Sequence, residues 1–209
     1  VMIDSLLKHR AAALARPTLE GLGLRAAGQE APGPYAVVTL HRPANVDDAA
    51  WLRGMGEALA LLGESMPVIF PVHPRTRARI DAFGLGELFS PARGIRLTEP
   101  LGYLDFLNLM AHARLVLTDS GGIQEETTIL GVPCMTLRDN TERPVTISEG
   151  TNRLVGTDCQ RILTAIRQFV AEPPTEHRPR MPELWDGHAA ERIVDVVLGW
   201  WEGRLTRAA

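Results

Sequence analysis

Short apolar runs alternate with longer amphipathic segments along the chain of 209 residues. The apolar runs predict buried strands at residues 35–40, 67–71, 95–98, 114–118, 134–137 and 153–155. Helical spacing of apolar residues predicts helices between them, at residues 47–62, 75–83, 103–111, 122–130 and 158–171. This order is typical of an α/β protein. We therefore expect a three-layer, Rossmann-like domain with a parallel sheet between two layers of helices.

Both ends of the chain also have helical spacing, at residues 1–15 and 186–205. The stretches 21–34 and 172–182 are rich in Gly, Pro or Ala and indicate links. We interpret residues 1–209 as one domain. Because the first residue is Val1, we also interpret the chain as a piece of a longer protein.

Composition and charge exclude several classes of partner. The chain is 45% hydrophobic and 22% charged, with a net charge of −3, and it has no basic block. We therefore predict no nucleic-acid partner and no membrane partner. No apolar run approaches the ~18 residues that a membrane span needs. Two cysteines, Cys134 and Cys159, predict no disulfide framework and fit a reducing cytoplasm.

The segment 118–126, Thr-Asp-Ser-Gly-Gly-Ile-Gln-Glu-Glu, follows a predicted strand and opens a predicted helix. Free backbone N–H groups and the helix dipole make such a turn suitable for phosphate. Glu126 lies one helical turn after Gly122, where its carboxylate can accept hydrogen bonds from a ribose diol. The alternative is an Asp119 or Ser120 N-cap with glycines that serve close packing.

Polar segments follow five of the predicted strands, at residues 41–42, 73–75, 99–100, 119–122 and 138–143. The carboxyl ends of parallel strands meet at one edge of the sheet, where open α/β sheets bind ligands. The cationic residues Arg42, Arg75 and Arg143 suit an anionic ligand such as a diphosphate. The six histidines show no metal-type spacing with Cys, Asp or Glu, so we predict no metal site.

The segment 118–126, together with Arg-Asp-Asn-Thr-Glu-Arg-Pro at 138–144, strongly resembles the non-hydrolysing UDP-N-acetylglucosamine 2-epimerases. The segments 97–100 and 150–156 and the pair His41-Arg42 share this resemblance, which covers almost the whole chain. It implies the C-terminal half of a two-domain GT-B fold. Helix 1–15 would then leave the missing N-terminal half, and helix 186–205 would return toward it.

The final helix carries one apolar stripe at spacing i, i+4, i+7 and i+8. Its residues are Ile193, Val197, Trp200 and Trp201. With the N-terminal half absent, we expect this stripe to be partly exposed or covered by a second copy of the chain.

The resemblance also implies a reaction. Members of this family interconvert UDP-GlcNAc and UDP-ManNAc by eliminating UDP and adding it back to the other face of the glycal. The implied full-length protein is a cytoplasmic homodimer that needs no cofactor and serves cell-surface polysaccharide biosynthesis. The carboxylates that move the C2 proton belong to the N-terminal half of such a protein.

By position, the resemblance implies roles for particular residues. His41 matches a catalytic histidine that acts on the leaving diphosphate or on a sugar hydroxyl. The implied UDP contacts are Ser120, Gly121 and Gly122 at phosphate, Glu126 at ribose, Leu101 and Phe106 near uracil, and Arg143 at the phosphates.

Each of these assignments has a structural alternative. Phe106 has the helical spacing of a core aromatic. Arg143 has Glu142 and Asp139 near it in sequence and could form a surface ion pair with either. His41 could be a core histidine satisfied by backbone groups.

Two positions depart from the family pattern. Ala44 stands where many members have Glu, which puts allosteric activation by a second UDP-GlcNAc in doubt. Leu101 stands where some members have Gln, so only a backbone contact to uracil would survive.

Two other functions stay open, namely half of a UDP-sugar glycosyltransferase and a non-catalytic module that binds UDP-sugars.

Overall fold

The structure is a computed structural model that describes residues 1–26, 28–172 and 181–207. Within these residues the strands form one six-stranded sheet with the order β3-β2-β1-β4-β5-β6, and all its pairings are parallel. The strands are β1 (Ala36–Thr39), β2 (Val68–Pro71), β3 (Ile95–Thr98), β4 (Leu115–Thr118), β5 (Cys134–Thr136) and β6 (Asn152–Leu154). This is the doubly wound order of a Rossmann fold.

Helices connect the strands and extend the chain at both ends. The longer helices are α1 (Met2–Leu14), α4 (Ala49–Gly63), α5 (Pro74–Ala82), α6 (Tyr103–Ala111), α7 (Gly121–Leu130), α9 (Cys159–Ala171) and α10 (Ala189–Arg207). Short helices are α2 (Thr18–Gly21), α3 (Pro43–Val46) and α8 (Val145–Ser148), with one 3₁₀ turn at Pro91–Arg93.

The sheet is buried on both faces because successive residues of a strand point to opposite sides. Ala36 and Val38 of β1 belong to one hydrophobic cluster, which α4 and α9 cover. Val37 belongs to a second cluster, with residues of α1 and α6. The α/β fold with a three-layer, Rossmann-like arrangement is therefore confirmed.

The predicted strands and main helices are present, and the differences lie at their ends. Residues 35 and 40 are buried but flank the ladder of β1 rather than belonging to it. The short helices α2, α3 and α8 escaped prediction because a single turn carries no period. Helix α10 begins at Ala189 and not at 186, since the carboxylate of Asp4 in α1 accepts the N–H groups of Ala189 and Ala190. Most of the predicted link 172–182 lies outside the described residues.

Helix α10 carries a large exposed apolar surface. The side chains of the predicted stripe are exposed, with relative exposures of 53% for Ile193, 56% for Val197, 56% for Trp200 and 58% for Trp201. Val196 and Leu198 on the same helix are also exposed. Within the described ranges, no helix combines the length and the apolar character needed to cross a bilayer.

We predict that Leu198→Ala changes the free energy of unfolding by no more than ~0.5 kcal/mol, since Leu198 is exposed and Ala favours a helix. The same substitution at the fully buried Leu117 of β4 should cost about 2–5 kcal/mol. Urea denaturation of the two variants measures both values. A loss at Leu198 as large as that at Leu117 would show that α10 is covered in solution.

Candidate functional site

The candidate site lies at the carboxyl ends of β1, β4 and β5, which are neighbours in the sheet. A hydrogen bond of 2.8 Å between the hydroxyls of Thr39 and Thr118 joins the last residues of β1 and β4. The hydroxyl of Thr118 also accepts the backbone N–H of Ser120 at 3.0 Å. These contacts fix the point at which the segment 118–126 turns from strand into helix.

The Asp119 carboxylate is the polar centre of the site and is completely buried. It accepts the backbone N–H groups of His41 at 3.1 Å and Arg42 at 2.9 Å. The side-chain amide of Asn45 donates to it at 3.3 Å, and Nδ1 of His41 lies 2.9 Å from its Oδ1. The carboxylate thus joins the end of β4 to the loop after β1.

This arrangement changes the protonation of both partners. Burial alone would raise the pKa of Asp119, but hydrogen bonds from the His41 ring and the Arg42 N–H group outweigh it, and the pKa lies below its ordinary value. The hydrogen bond to Asp119 raises the pKa of His41, although partial burial and Arg42 oppose this shift. Because Asp119 holds Nδ1, Nε2 is the nitrogen that His41 can offer to a ligand. The side chain of His41 is 45% exposed, so the interpretation as a core histidine is wrong.

Residues 120–122 form the start of α7. Ser120 is the N-cap residue, and its side chain makes no capping hydrogen bond. Since the carboxylate of Asp119 turns to His41 instead, the alternative of a side-chain cap is wrong. A Cβ atom on Gly122 would lie 2.7 Å from Cε of Met2, so the lack of a side chain there lets α1 pack against α7. A Cβ atom on Gly121 would lie 3.7 Å from the Glu142 carboxylate and would meet no such obstacle.

Glu126 lies one turn into α7 and is 6% exposed. The hydroxyl of Tyr103, at the start of α6, donates a hydrogen bond to its carboxylate at 3.1 Å. The pKa of Glu126 lies above its ordinary value, because burial and the nearby Glu125 carboxylate raise it and the hydrogen bond from Tyr103 offsets only part of this. A carboxylate at this depth requires partners, which a ligand with hydroxyl groups can supply.

The three cations that the sequence suggested for an anionic ligand have protein partners. Arg75 forms an ion pair with Asp47, and Arg75 and Arg79 together lower the pKa of Asp47 to about 2. The Nε group of Arg42 donates to the carbonyl of Asp119 at 3.0 Å. Arg75 therefore does not support the predicted anion site.

Arg143 forms an ion pair with Glu125 of α7, across 2.5 Å between Nε and Oε1 but without the alignment of a hydrogen bond. The predicted alternative partners, Glu142 and Asp139, have other contacts. Glu142 pairs with Arg138 at 2.9 Å, and Asp139 accepts the N–H and the hydroxyl of Thr157. An ion pair of Arg143 with Glu142 or Asp139 is therefore wrong, and Arg143 instead pairs with a residue of α7.

Buried amides hold the segment 138–144 against α7. Gln124 accepts the hydroxyl of Thr141 at 2.6 Å and the side-chain amide of Asn152 at 3.2 Å. Thr141 in turn accepts the backbone N–H of Arg143 at 2.9 Å. Gln124 and Asn152 are buried polar residues that sequence analysis missed, because their partners lie on separate elements.

Leu101 and Phe106 are partly buried and pack against the second hydrophobic cluster. For Phe106 this contact supports the alternative of a core aromatic, and a role for either residue near uracil stays a prediction. Within the described part of the chain, no group of three His, Cys, Asp or Glu side chains is placed to hold a metal ion.

Comparison with known proteins relates this geometry to a family. The sequence profile described as UDP-N-acetylglucosamine 2-epimerase matches residues 1–198. The chain belongs to this family. The UDP-N-acetylglucosamine 2-epimerase of Methanocaldococcus jannaschii is 41% identical over 165 residues, which cover 78% of this chain and 44% of the relative. The UDP-2,3-diacetamido-2,3-dideoxy-D-glucuronate 2-epimerase of Pseudomonas aeruginosa is 39% identical over 134 residues, covering 64% of this chain and 36% of the relative.

Solved structures of family members show the same fold. The M. jannaschii UDP-GlcNAc 2-epimerase in complex with UDP-GlcNAc and UDP superposes with a TM-score of 0.77 at 35% identity. The superposition covers 94% of this chain and 52% of that one. The chain thus spans about half the length of the family members that it matches, and family membership alone does not carry a whole enzyme's activity to it.

We predict that Asp119→Asn lowers the pKa of His41, because the neutral amide removes the charge that favours the imidazolium ion. NMR titration of the His41 ring protons, assigned by comparison with His41→Gln, measures the change. Asp158→Asn is the matched control, since Asp158 caps α9 and Asn caps a helix equally well. An unchanged pKa in Asp119→Asn would contradict the interpretation of Asp119 as the group that raises the pKa of His41.

The same pair has a defined effect on stability. Because the pKa of folded His41 is raised, its contribution is complete below the unfolded value of about 6.5 and is lost as the pH rises through the raised value. Because the pKa of folded Asp119 is lowered, its contribution is lost only as the pH falls through the lowered value. The pair therefore stabilises the fold most in the mildly acidic range, above the unfolded pKa of Asp119 and below the unfolded pKa of His41.

Proposed function

We propose that this chain is the UDP-binding half of a 2-epimerase that interconverts UDP-GlcNAc and UDP-ManNAc. The observation that carries the proposal is the buried Glu126 carboxylate, placed one turn after the uncapped start of α7, which itself directly follows Asp119 in the chain. Membership of the 2-epimerase family favours this reaction over glycosyl transfer. The M. jannaschii relative crystallised with UDP-GlcNAc and UDP supports the choice of ligand.

The proposed position of UDP follows from the charges and hydrogen-bond donors of the site. Gly121 and Gly122 offer backbone N–H groups at the positive end of the α7 dipole, where the diphosphate binds. Ser120 offers its side-chain hydroxyl there, because its backbone N–H is already bonded to the Thr118 hydroxyl. Glu126 accepts the ribose hydroxyls one turn further along the helix. Arg143, now paired with Glu125, lies beside the same helix and contacts the phosphates. Leu101 and Phe106, at the α6 side, border the uracil.

The proposed chemistry assigns one step to His41. When the bond between C1 and the diphosphate breaks, negative charge develops on the leaving oxygen. An imidazolium ion whose pKa Asp119 raises can stabilise or protonate that oxygen through Nε2. Inversion at C2 additionally needs acid–base groups on both faces of the sugar. We assign those groups to the part of the relatives that this chain does not cover.

Further features follow from the same proposal. We place this chain as the C-terminal half of a GT-B protein, with the exposed face of α10 against the other half. The full-length protein is then a cytoplasmic homodimer that acts in cell-surface polysaccharide biosynthesis. Since one relative at 39% identity acts on a different UDP-sugar, the nucleotide is the part of the substrate that this half recognises.

The proposal predicts that the chain binds UDP weakly and more tightly than ADP or CMP, as calorimetry can measure.

Glu126→Gln keeps the side-chain shape but removes the charged acceptor, and hydrogen bonds to charged groups contribute roughly 1.5–3 kcal/mol. UDP affinity should therefore fall about tenfold or more with little change in melting temperature. Glu57→Gln, at an exposed position of α4, is the control. If Glu126→Gln bound UDP as tightly as the control Glu57→Gln, Glu126 would be a structural residue. If the folded parent chain bound no UDP at millimolar concentration, the proposed function would be refuted.

We also predict that the isolated chain does not epimerise UDP-GlcNAc. Loss of each acid–base group costs about 10²–10⁴-fold, and the two faces of the sugar require more than His41. The assay incubates UDP-GlcNAc with the chain in deuterated water and follows sugar H2 by NMR. Deuterium incorporation or UDP-ManNAc formation would place the catalytic bases in this chain. A full-length protein that binds UDP-GlcNAc but exchanges no H2 would instead be a non-catalytic binding module.

A further inference from the structure

Tyr103 occupies a position that the proposed UDP site has not yet used. It is the first residue of α6, and its side chain is 42% exposed although its hydroxyl reaches the buried Glu126. Its ring packs edge-on against the ring of His9 in α1, with 6.1 Å between centroids and 86° between planes. Contacts with α1 and α7 therefore hold the ring in place at the surface.

The contact with Glu126 is the important one. In the described residues, the Tyr103 hydroxyl is the hydrogen-bond donor that reaches the Glu126 carboxylate. A buried carboxylate without a donor would favour its neutral form, which accepts fewer hydrogen bonds than the charged form. The hydrogen bond from Tyr103 thus favours the charged form, against burial and Glu125, and fixes the direction of the carboxylate oxygen atoms.

The carboxylate retains capacity for a ligand while this contact is made. An ionised carboxylate offers about four lone-pair sites, and the Tyr103 hydroxyl occupies one of them. Two hydroxyl groups of a ribose can therefore bind at the same time. The ring that carries this hydroxyl is partly exposed.

We propose that Tyr103 is a positioning residue that orients Glu126 toward the 2′ and 3′ hydroxyls and makes the site selective for ribonucleotides. This inference rests on the proposed binding of UDP. A positioning role of Tyr103 can be distinguished from a purely structural one. If Tyr103 orients Glu126, its effect on affinity depends on the hydroxyl groups of the ligand.

The test is a thermodynamic cycle of one protein change and one ligand change. Tyr103→Phe removes the hydroxyl but keeps the ring and its contact with His9. NMR titration measures the affinities of the parent and the variant for UDP and for 2′,3′-dideoxy-UDP. We expect Tyr103→Phe to weaken UDP binding about tenfold, in the range of a hydrogen bond to a charged group, and to leave dideoxy-UDP binding unchanged.

The chain supplies a matched control. It contains two tyrosines, and the other one, Tyr35, donates its hydroxyl to the carbonyl of Leu109 in the core. Tyr35→Phe removes the same group far from the site, so it should change the melting temperature but not the preference for UDP over its dideoxy analogue. In a Glu126→Gln background, adding Tyr103→Phe should cause no further loss.

The outcomes separate the inference from the proposed function. Equal losses for both ligands, unchanged UDP affinity, or tighter UDP binding by Tyr103→Phe would each overturn the role of Tyr103 while leaving UDP as the ligand. The last of these results would mean that the tyrosine competes with ribose for Glu126. Failure of the folded parent chain to bind UDP would instead overturn the proposed function.

Discussion

The site depends on one buried charge. An unpaired carboxylate in a protein interior is costly, and Asp119 is fully buried. It is stable there because two backbone N–H groups, the Asn45 amide and the His41 ring converge on it. Removing the carboxylate would leave these donors without their acceptor. The conformation of the loop after β1 and the orientation of His41 are therefore both consequences of Asp119.

The sheet topology explains why these groups meet. The chain order reverses between β1 and β4, so the connections from these neighbouring strands leave toward opposite faces and open a crevice. His41 follows β1 and Asp119 follows β4, and the hydrogen-bonded pair that they form lies at this reversal. The start of α7 rises from the same point. The start of α7 and the His41 ring thus lie at one place in the fold, although many residues separate them in the sequence.

Periodicity was sufficient to predict the fold because each strand and long helix buries a face that repeats along the sequence. Candidate positions such as Ser120 and Glu126 could also be found, since they lie close together in one short segment of the sequence. The partners of these residues could not be predicted. Sequence analysis offered Asp119 only as a possible cap, because its contact with His41 joins segments that follow two different strands. Tyr103, Gln124 and Asn152 escaped notice because each acts through a residue on another element.

The paired charges of the site determine how it can bind an anion. Arg143 and Arg138 already have carboxylate partners, so a diphosphate that contacts them exchanges one anion for another and gains little from their charge alone. The N–H groups at the start of α7 have no side-chain cap to displace. Arg42 is a further cation of the site, and its Nε donates to the carbonyl of Asp119 and not to a carboxylate. The ring of His41 adds positive charge when it is protonated, and its partner Asp119 is too deeply buried to compete for a ligand. A diphosphate bound as proposed would therefore gain more from the helix start, Arg42 and the protonated His41 ring than from the paired arginines.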